Sequence, residues 1–146
     1  MPCEACVLRR RSFPATATVP NGPRRHAVKR WAQQEAERSG ARCALLCDRD
    51  GIVRRAGDAP LFAVRDDVIY AAPLDDVEWT LVAEAARWAG IRWVERPVGA
   101  AQLRLFDELF SFDCEGVSSI ASCEGTPYLS LTAERIAAAL AALPER

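Results

Sequence analysis

Residues 88–128, WAGIRWVERPVGAAQLRLFDELFSFDCEGVSSIASCEGTPY, decide the architecture. Gly90 reads as a helix stop, and residues 91–95 form an apolar, aromatic run of strand length. Residues 99–105 form one short helix. Residues 108–112 and 117–122 are two further strands, and Glu124-Gly125-Thr126-Pro127 is a turn. The polar loop 113–116 between the last two strands stands out, because loops in this position of α/β enzymes often hold a ligand. Asp113, Cys114, Glu115 and Gly116 are therefore candidate site residues.

The same alternation extends upstream. Asp75 and Asp76 open a helix, where acidic residues suit the positive end of the helix dipole. Its apolar stripe is read as Val77, Leu81, Ala85 and Trp88 or Ala89. Residues 61–64 and 68–71 flank Arg65-Asp66-Asp67 as a hairpin that Pro73 closes. Residues 42–48 and 52–55 flank Asp50-Gly51 as another. Residues 25–39 are helical, with Val28, Trp31, Ala32 and Ala36 on one face. Downstream, Thr132 is the expected N-cap of a last helix that runs along Ile136, Ala139, Leu140 and Leu143. Residues 1–23 carry four prolines and no clean period. They are expected to be a poorly structured lead-in with a short strand near residues 16–19, ahead of a single domain over residues 24–146.

A chain of 146 residues supports one compact core and buries roughly two-thirds of its unfolded surface. A net charge of -1 removes any bulk electrostatic case for nucleic acid. The clusters at Arg9, Arg10 and Arg11, and at Arg24, Arg25 and Arg30, read as solvated surface. No apolar run approaches the roughly 20 residues of a membrane-spanning helix, and the N-terminus lacks the apolar segment of a secretory signal. The cytoplasm is the expected location, where the six cysteines stay reduced.

Reactive groups are scarce. Lys29 is the only lysine and His26 the only histidine, and neither lies in residues 88–128. Cys3-x-x-Cys6 needs two more ligands to hold zinc. The nearest pair, Cys43 and Cys47, lies four apart in an apolar strand and reads as small buried hydrophobes, so no metal is expected. Cys114 has only the distant His26 as a base. Asp107, Glu108, Asp113 and Glu115 alternate between strand faces and read as solvated strand ends. Lys29, beside Arg30, reads as a surface residue of an amphipathic helix.

The order of these pieces carries a family resemblance. A helix ending in Glu35-Ala36-Glu37-Arg38-Ser39-Gly40-Ala41 is followed by the strand Ala44-Leu45-Leu46 and the turn Asp48-Arg49-Asp50-Gly51. Then come Leu61-Phe62-Ala63-Val64, Val68-Ile69-Tyr70 and the helix over residues 81–90. Ile91-Arg92-Trp93-Val94-Glu95-Arg96-Pro97, Asp107-Glu108-Leu109-Phe110 and the Gly125 turn complete the series. From about Arg25 to Leu143 this resembles the C-terminal domain of the class IV aminotransferases, the fold-type-IV pyridoxal-phosphate enzymes. The family includes branched-chain and D-amino-acid aminotransferases and aminodeoxychorismate lyase.

The resemblance implies an α/β fold with a mixed, partly barrel-like sheet and helices outside. It also implies pyridoxal phosphate as cofactor and an amino acid or keto acid as substrate. Lys29 would be the catalytic Schiff-base residue, and Arg55, Cys114, Glu115 and Gly116 would stand at cofactor-binding positions. The chain departs from the family pattern at those same positions. The family's cofactor lysine corresponds to Asn21 or Gly22 rather than Lys29, and its glutamate facing the pyridine nitrogen corresponds to Arg55. A nearby asparagine corresponds to Pro60, the phosphate-binding Gly-Ile-Thr-Arg to Asp76-Val77-Glu78-Trp79, and a phosphate-loop threonine to Cys114. Two readings stay open. One is a truncated or diverged class IV aminotransferase-like protein, weak or inactive alone, with pyridoxal phosphate or no cofactor. The other is a non-catalytic binding or regulatory domain that works as a homodimer or with a complementing N-terminal domain.

Overall fold

The computed structural model describes the backbone of Cys3–Leu8, residues 30, 33–34, 37–38 and 41, and the continuous stretch 43–144. Its strands are β1 (Cys3–Leu8), β2 (Cys43–Cys47), β3 (Val53–Ala56), β4 (Ala59–Arg65), β5 (Val68–Ala71), β6 (Arg92–Glu95), β7 (Glu108–Asp113), β8 (Gly116–Cys123) and β9 (Thr126–Pro127). Helix α1 spans Val77–Ala89, a 3-10 helix spans Ala100–Leu105, and α2 spans Leu131–Ala142. Arg30, Gln33, Gln34, Glu37 and Arg38 are helical, in keeping with the helix read there. Val28, Trp31, Ala32 and Ala36, the strand expected near residues 16–19, and His26 all lie outside the described residues.

The strands form one mixed sheet in the order β3-β2-β1-β8-β7-β4-β5-β6, with β9 on β8. A second pairing, Arg55 opposite Pro60 and Ala56 opposite Ala59, joins β3 to β4. That pairing closes β3-β2-β1-β8-β7-β4 into a ring and leaves β5 and β6 as a flap, the partly barrel-like sheet that the resemblance implies. The expected hairpins are present as β2–β3 and β4–β5. The β4–β5 turn holds Asp66 and Asp67 at φ 52° and 64°, the left-handed pair that suits a two-residue hairpin. An Asp107 oxygen accepts from the Asp66 amide at 2.9 Å and steadies it. Within the expected lead-in, Cys3–Leu8 form a strand running parallel to both β2 and β8, and the rest of residues 1–23 lies outside the described residues. A strand paired in parallel on both edges need not show the alternation that marks a half-exposed one.

Strand alternation splits the interior into two cores. Phe62, Val64, Ile69 and Phe110 face the helices, where they meet Val82, Ala85 and Ala86 of α1 and Ala133, Ile136 and Ala139 of α2. Leu61, Ala63 and Leu109 point the other way, against Leu45, Cys47, Val53, Ile120, Cys123 and Leu103 of the 3-10 helix. Cys47 is buried there and Cys43 packs against the same cluster, as small hydrophobes do. Phe62 and Phe110, opposite each other in the β4–β7 register, stack with ring centroids 5.2 Å apart. Trp93 leans on Phe62, and Trp79 meets Trp93 edge-on while donating from Nε1 to the Ala72 carbonyl at 3.0 Å.

Both described helices depart from their expected detail. Val77 is 73% exposed and Trp88 60% exposed, whereas Ala85 is buried and Ala89 packs on the core as expected, and Val82 and Ala86 complete the α1 stripe. Close approach to the sheet and to α2 favours small side chains over large ones. Gly90 ends α1 as expected, at φ 71°, with its amide bonded back to the helix. The N-cap of α2 is Ser130 rather than Thr132, and neither provides the cap hydrogen bond from its side chain. A carboxylate from the sheet supplies it. Glu108, only 4% exposed, accepts the Thr132 amide on both oxygens at 2.9 Å and the Ala133 amide at 3.1 Å. The reading of Glu108 as a solvated strand end therefore fails, because it neutralises the positive end of a helix dipole inside the fold.

Among the described residues, no helix is long and apolar enough to cross a membrane.

Candidate functional site

Of the implied site residues, Arg55 and the turn at Cys114, Glu115 and Gly116 are carried toward one end of β4 by the strand ladders. Arg55 of β3 stands opposite Pro60 at the start of β4. On the other side of β4, Leu61 pairs with Ser111, so the register carries the end of β7 and the β7–β8 turn toward the same end. The third component is Asp76, the residue immediately ahead of α1.

Arg55 is 3% exposed. Its Nη1 donates to Asp76 Oδ2 at 2.7 Å and to the Asp58 carbonyl at 3.0 Å, and its Nη2 donates to Asp76 Oδ1 at 3.0 Å. This is a fork-on-fork pair, the strong geometry for guanidinium and carboxylate. Arg55 Nε, in contrast, is buried without a partner. The neighbouring Arg54 reaches the same connection from the next position, with Nη1 3.4 Å from the Pro73 carbonyl and Nε 3.4 Å from Asp48 Oδ2. The link between β5 and α1 is thus tied by Arg54 at Pro73, by Arg55 at Asp76 and by Trp79 at Ala72.

The loop read as a ligand holder is the two-residue turn Cys114-Glu115 between Asp113 and Gly116, which pair with each other. Gly116 takes φ 115°, a conformation side chains resist. Cys114 and Glu115 are exposed, and the Glu115 amide is taken by Asp113 Oδ1 at 2.9 Å. Lys29, the expected catalytic residue, lies outside the described residues. Among those described, no group of three or more His, Cys, Asp or Glu converges to hold a metal ion. Tyr128 is not a base either. Burial, with the charges of Cys123 and Glu124 adding to it, pushes its hydroxyl up to about 12. The hydroxyl donates to the Leu103 carbonyl at 2.8 Å.

These residues do not fit pyridoxal phosphate. A protonated pyridine needs a carboxylate facing its nitrogen, and its phosphate needs free donors. At the position that the resemblance assigns to that carboxylate stands a cation already bound to Asp76. At the start of α1, where an anion would settle, stand the acids Asp75, Asp76 and Glu78. The Glu115 amide of the β7–β8 turn is satisfied internally by Asp113, beside the further charge of Glu115. Sequence reasoning named Arg55 but missed Asp76 as its partner. The only signal was an acidic pair ahead of a helix, which any helix start explains equally well.

No protein-family model matches the sequence, and no curated protein matches it. Solved structures do. The branched-chain aminotransferase of Thermoproteus uzoniensis with norvaline superposes with a TM-score of 0.83 at 20% identity, over 96% of this chain and 50% of that one. The branched-chain amino acid aminotransferase of Escherichia coli gives 0.77 at 20% identity, over 92% and 50%. A fold IV transaminase from Curtobacterium pusillum gives 0.79 at 18% identity, over 97% and 52%. The chain spans about half the length of these structures. At such identities the likeness concerns the backbone alone: the fold is that of one half of a branched-chain, fold-type-IV aminotransferase.

Proposed function

We propose that this chain is a diverged domain of class IV aminotransferase ancestry that does not itself carry out pyridoxal-phosphate chemistry on amino or keto acids. One observation carries the reading: the guanidinium of Arg55, the residue that the resemblance sets opposite the coenzyme's ring nitrogen, is locked onto Asp76. A cation there disfavours ring protonation and removes the electron sink on which transamination and lyase chemistry depend. Fold likeness supports the ancestry and, by itself, no activity.

The protein is expected to be colourless after incubation with pyridoxal phosphate and dialysis, and borohydride treatment is expected to leave Lys29 unmodified by peptide mass mapping. A retained yellow absorbance band with a pyridoxyl group on Lys29 would overturn the proposal.

A second reading, a non-catalytic domain that binds a partner or a second copy of itself, draws support from one surface feature. Leu105, Leu129 and Leu131 are 48%, 59% and 65% exposed. The Leu129 amide bonds to the Asp107 carbonyl, two residues beyond Leu105, so these leucines flank one corner of the domain. Apolar residues grouped in this way mark contact surfaces more often than scattered ones do. Light scattering on a size-exclusion column is expected to show a species heavier than one chain at micromolar concentration. A clean monomer throughout would remove the homodimer.

A further inference from the structure

We infer that Cys3, Cys43 and Cys123, which the strand register brings to one face of the ring, form a site for a thiophilic divalent cation of the zinc type. The inference goes beyond the coenzyme question and is independent of its answer.

Sequence spacing pairs Cys3 with Cys6 and Cys43 with Cys47, but the register regroups them. Cys3 and Cys6 are three apart in β1 and so stand on opposite faces. Cys43 and Cys47 lie at the two ends of β2, about 13 Å apart along the strand. Across the strands, Ala5 of β1 is opposite Cys43 on one side and Cys123 on the other. The register shift in the β1–β8 pair sets Cys3 opposite Ile120. Directly paired residues share a face, so Cys3 stands on the face of Ile120, two positions before Ala5. That face is the interior of the ring. Ile120 and Cys123 are buried there with Leu45, Val53, Leu61 and Leu109 of β2, β3, β4 and β7. Cys43, half-buried, packs on the same cluster.

This placement suits a metal ion. Residues two strands apart in a flat sheet are about 10 Å from each other. Here the β3–β4 pairing closes the strands on themselves, so inward side chains of β2 and β8 converge toward the axis. The position between them is an alanine, so nothing large separates the two thiols. Thiolates are the ligands that zinc takes at about 2.3 Å, and its fourth position falls to solvent beside half-buried Cys43. An ion held in this way fastens β1 to both neighbours, and its binding energy becomes folding energy.

The test titrates the full chain, kept reduced by a non-thiol reductant, with zinc against a chromophoric chelator. The wild-type protein is expected to take up one zinc per chain, with a dissociation constant below about 1 μM. Cys3→Ala, Cys43→Ala and Cys123→Ala are each expected to weaken binding by at least about 100-fold, while Cys6→Ala, Cys47→Ala and Cys114→Ala stay within about threefold of wild type. X-ray absorption at the zinc edge of the loaded wild-type protein, which needs no variant to fold, is expected to show about three sulphur neighbours at about 2.3 Å. Three results overturn the inference: no zinc retained at micromolar concentration, a shell with fewer than three sulphurs, or binding lost with Cys6 or Cys47 in place of Cys3 and Cys123.

Discussion

Replacing Glu108 by alanine is expected to lower the unfolding free energy by about 3 kcal/mol. The buried carboxylate takes three short amide contacts from the first turn of α2. Loss of an ordinary helix cap costs about 1 kcal/mol, and a hydrogen bond to a charged group contributes about 1.5–3 kcal/mol. The stranded amides of Thr132 and Ala133 are buried, so water replaces the lost acceptor poorly. Glu108→Gln keeps one acceptor oxygen and is expected to cost about half as much. Urea unfolding of the three proteins side by side measures the difference. An alanine variant within about 0.5 kcal/mol of wild type would show that the α2 terminus finds another acceptor.

The second large effect is an asymmetry between two partners in one ion pair. Asp76→Ala strands the Arg55 guanidinium, whose side chain is 4% exposed, and is expected to cost about 3–5 kcal/mol. Arg55→Ala leaves an aspartate that is 13% exposed and sits at a helix start that favours its charge. That change is expected to cost less, about 2 kcal/mol, mostly as lost packing. Replacing both, Arg55→Met with Asp76→Leu, removes the desolvated charges together and is expected to fall within about 1 kcal/mol of wild type. Equilibrium denaturation of the four proteins side by side measures these costs. Equal costs for the two single changes would mean that solvent reaches Arg55 as readily as Asp76.

What could be read from the residues follows the range of the interactions. Gly90, Asp50-Gly51 and the Asp66-Asp67 turn act within a few positions, and the hairpins and helix ends they define are where the sequence placed them. The Asp107-Glu108-Leu109-Phe110 motif marked the strand and pointed to the family fold. The purpose of Glu108 stayed hidden because its amide partners lie 24 and 25 residues downstream. Arg55 and Asp76, 21 residues apart, were each interpretable alone as departures from a family pattern. Only the fold shows that one answers the other. The apolar face of α1 was misjudged because Val77 and Trp88 dominate any count of hydrophobic size. Alanines, weak in such a count, set how closely a helix can lie on a sheet.

The placement of β1 has a consequence for how this ring is assembled. Cys3 pairs with Ile120 and Ala5 with Cys123, while the other side of β1 pairs with β2. Residues 3–8 are therefore held between two strands that are far apart in the sequence. On the ribosome, the β2–β3 and β4–β5 hairpins can form as they emerge, but the ring stays open until β8 has left the exit tunnel. Closing so long a loop is slow. Until it happens, the edge of β1 that β8 will cover stays unpaired, and edges of that kind invite aggregation. The half-barrel is most vulnerable in the interval between the emergence of β2 and that of β8.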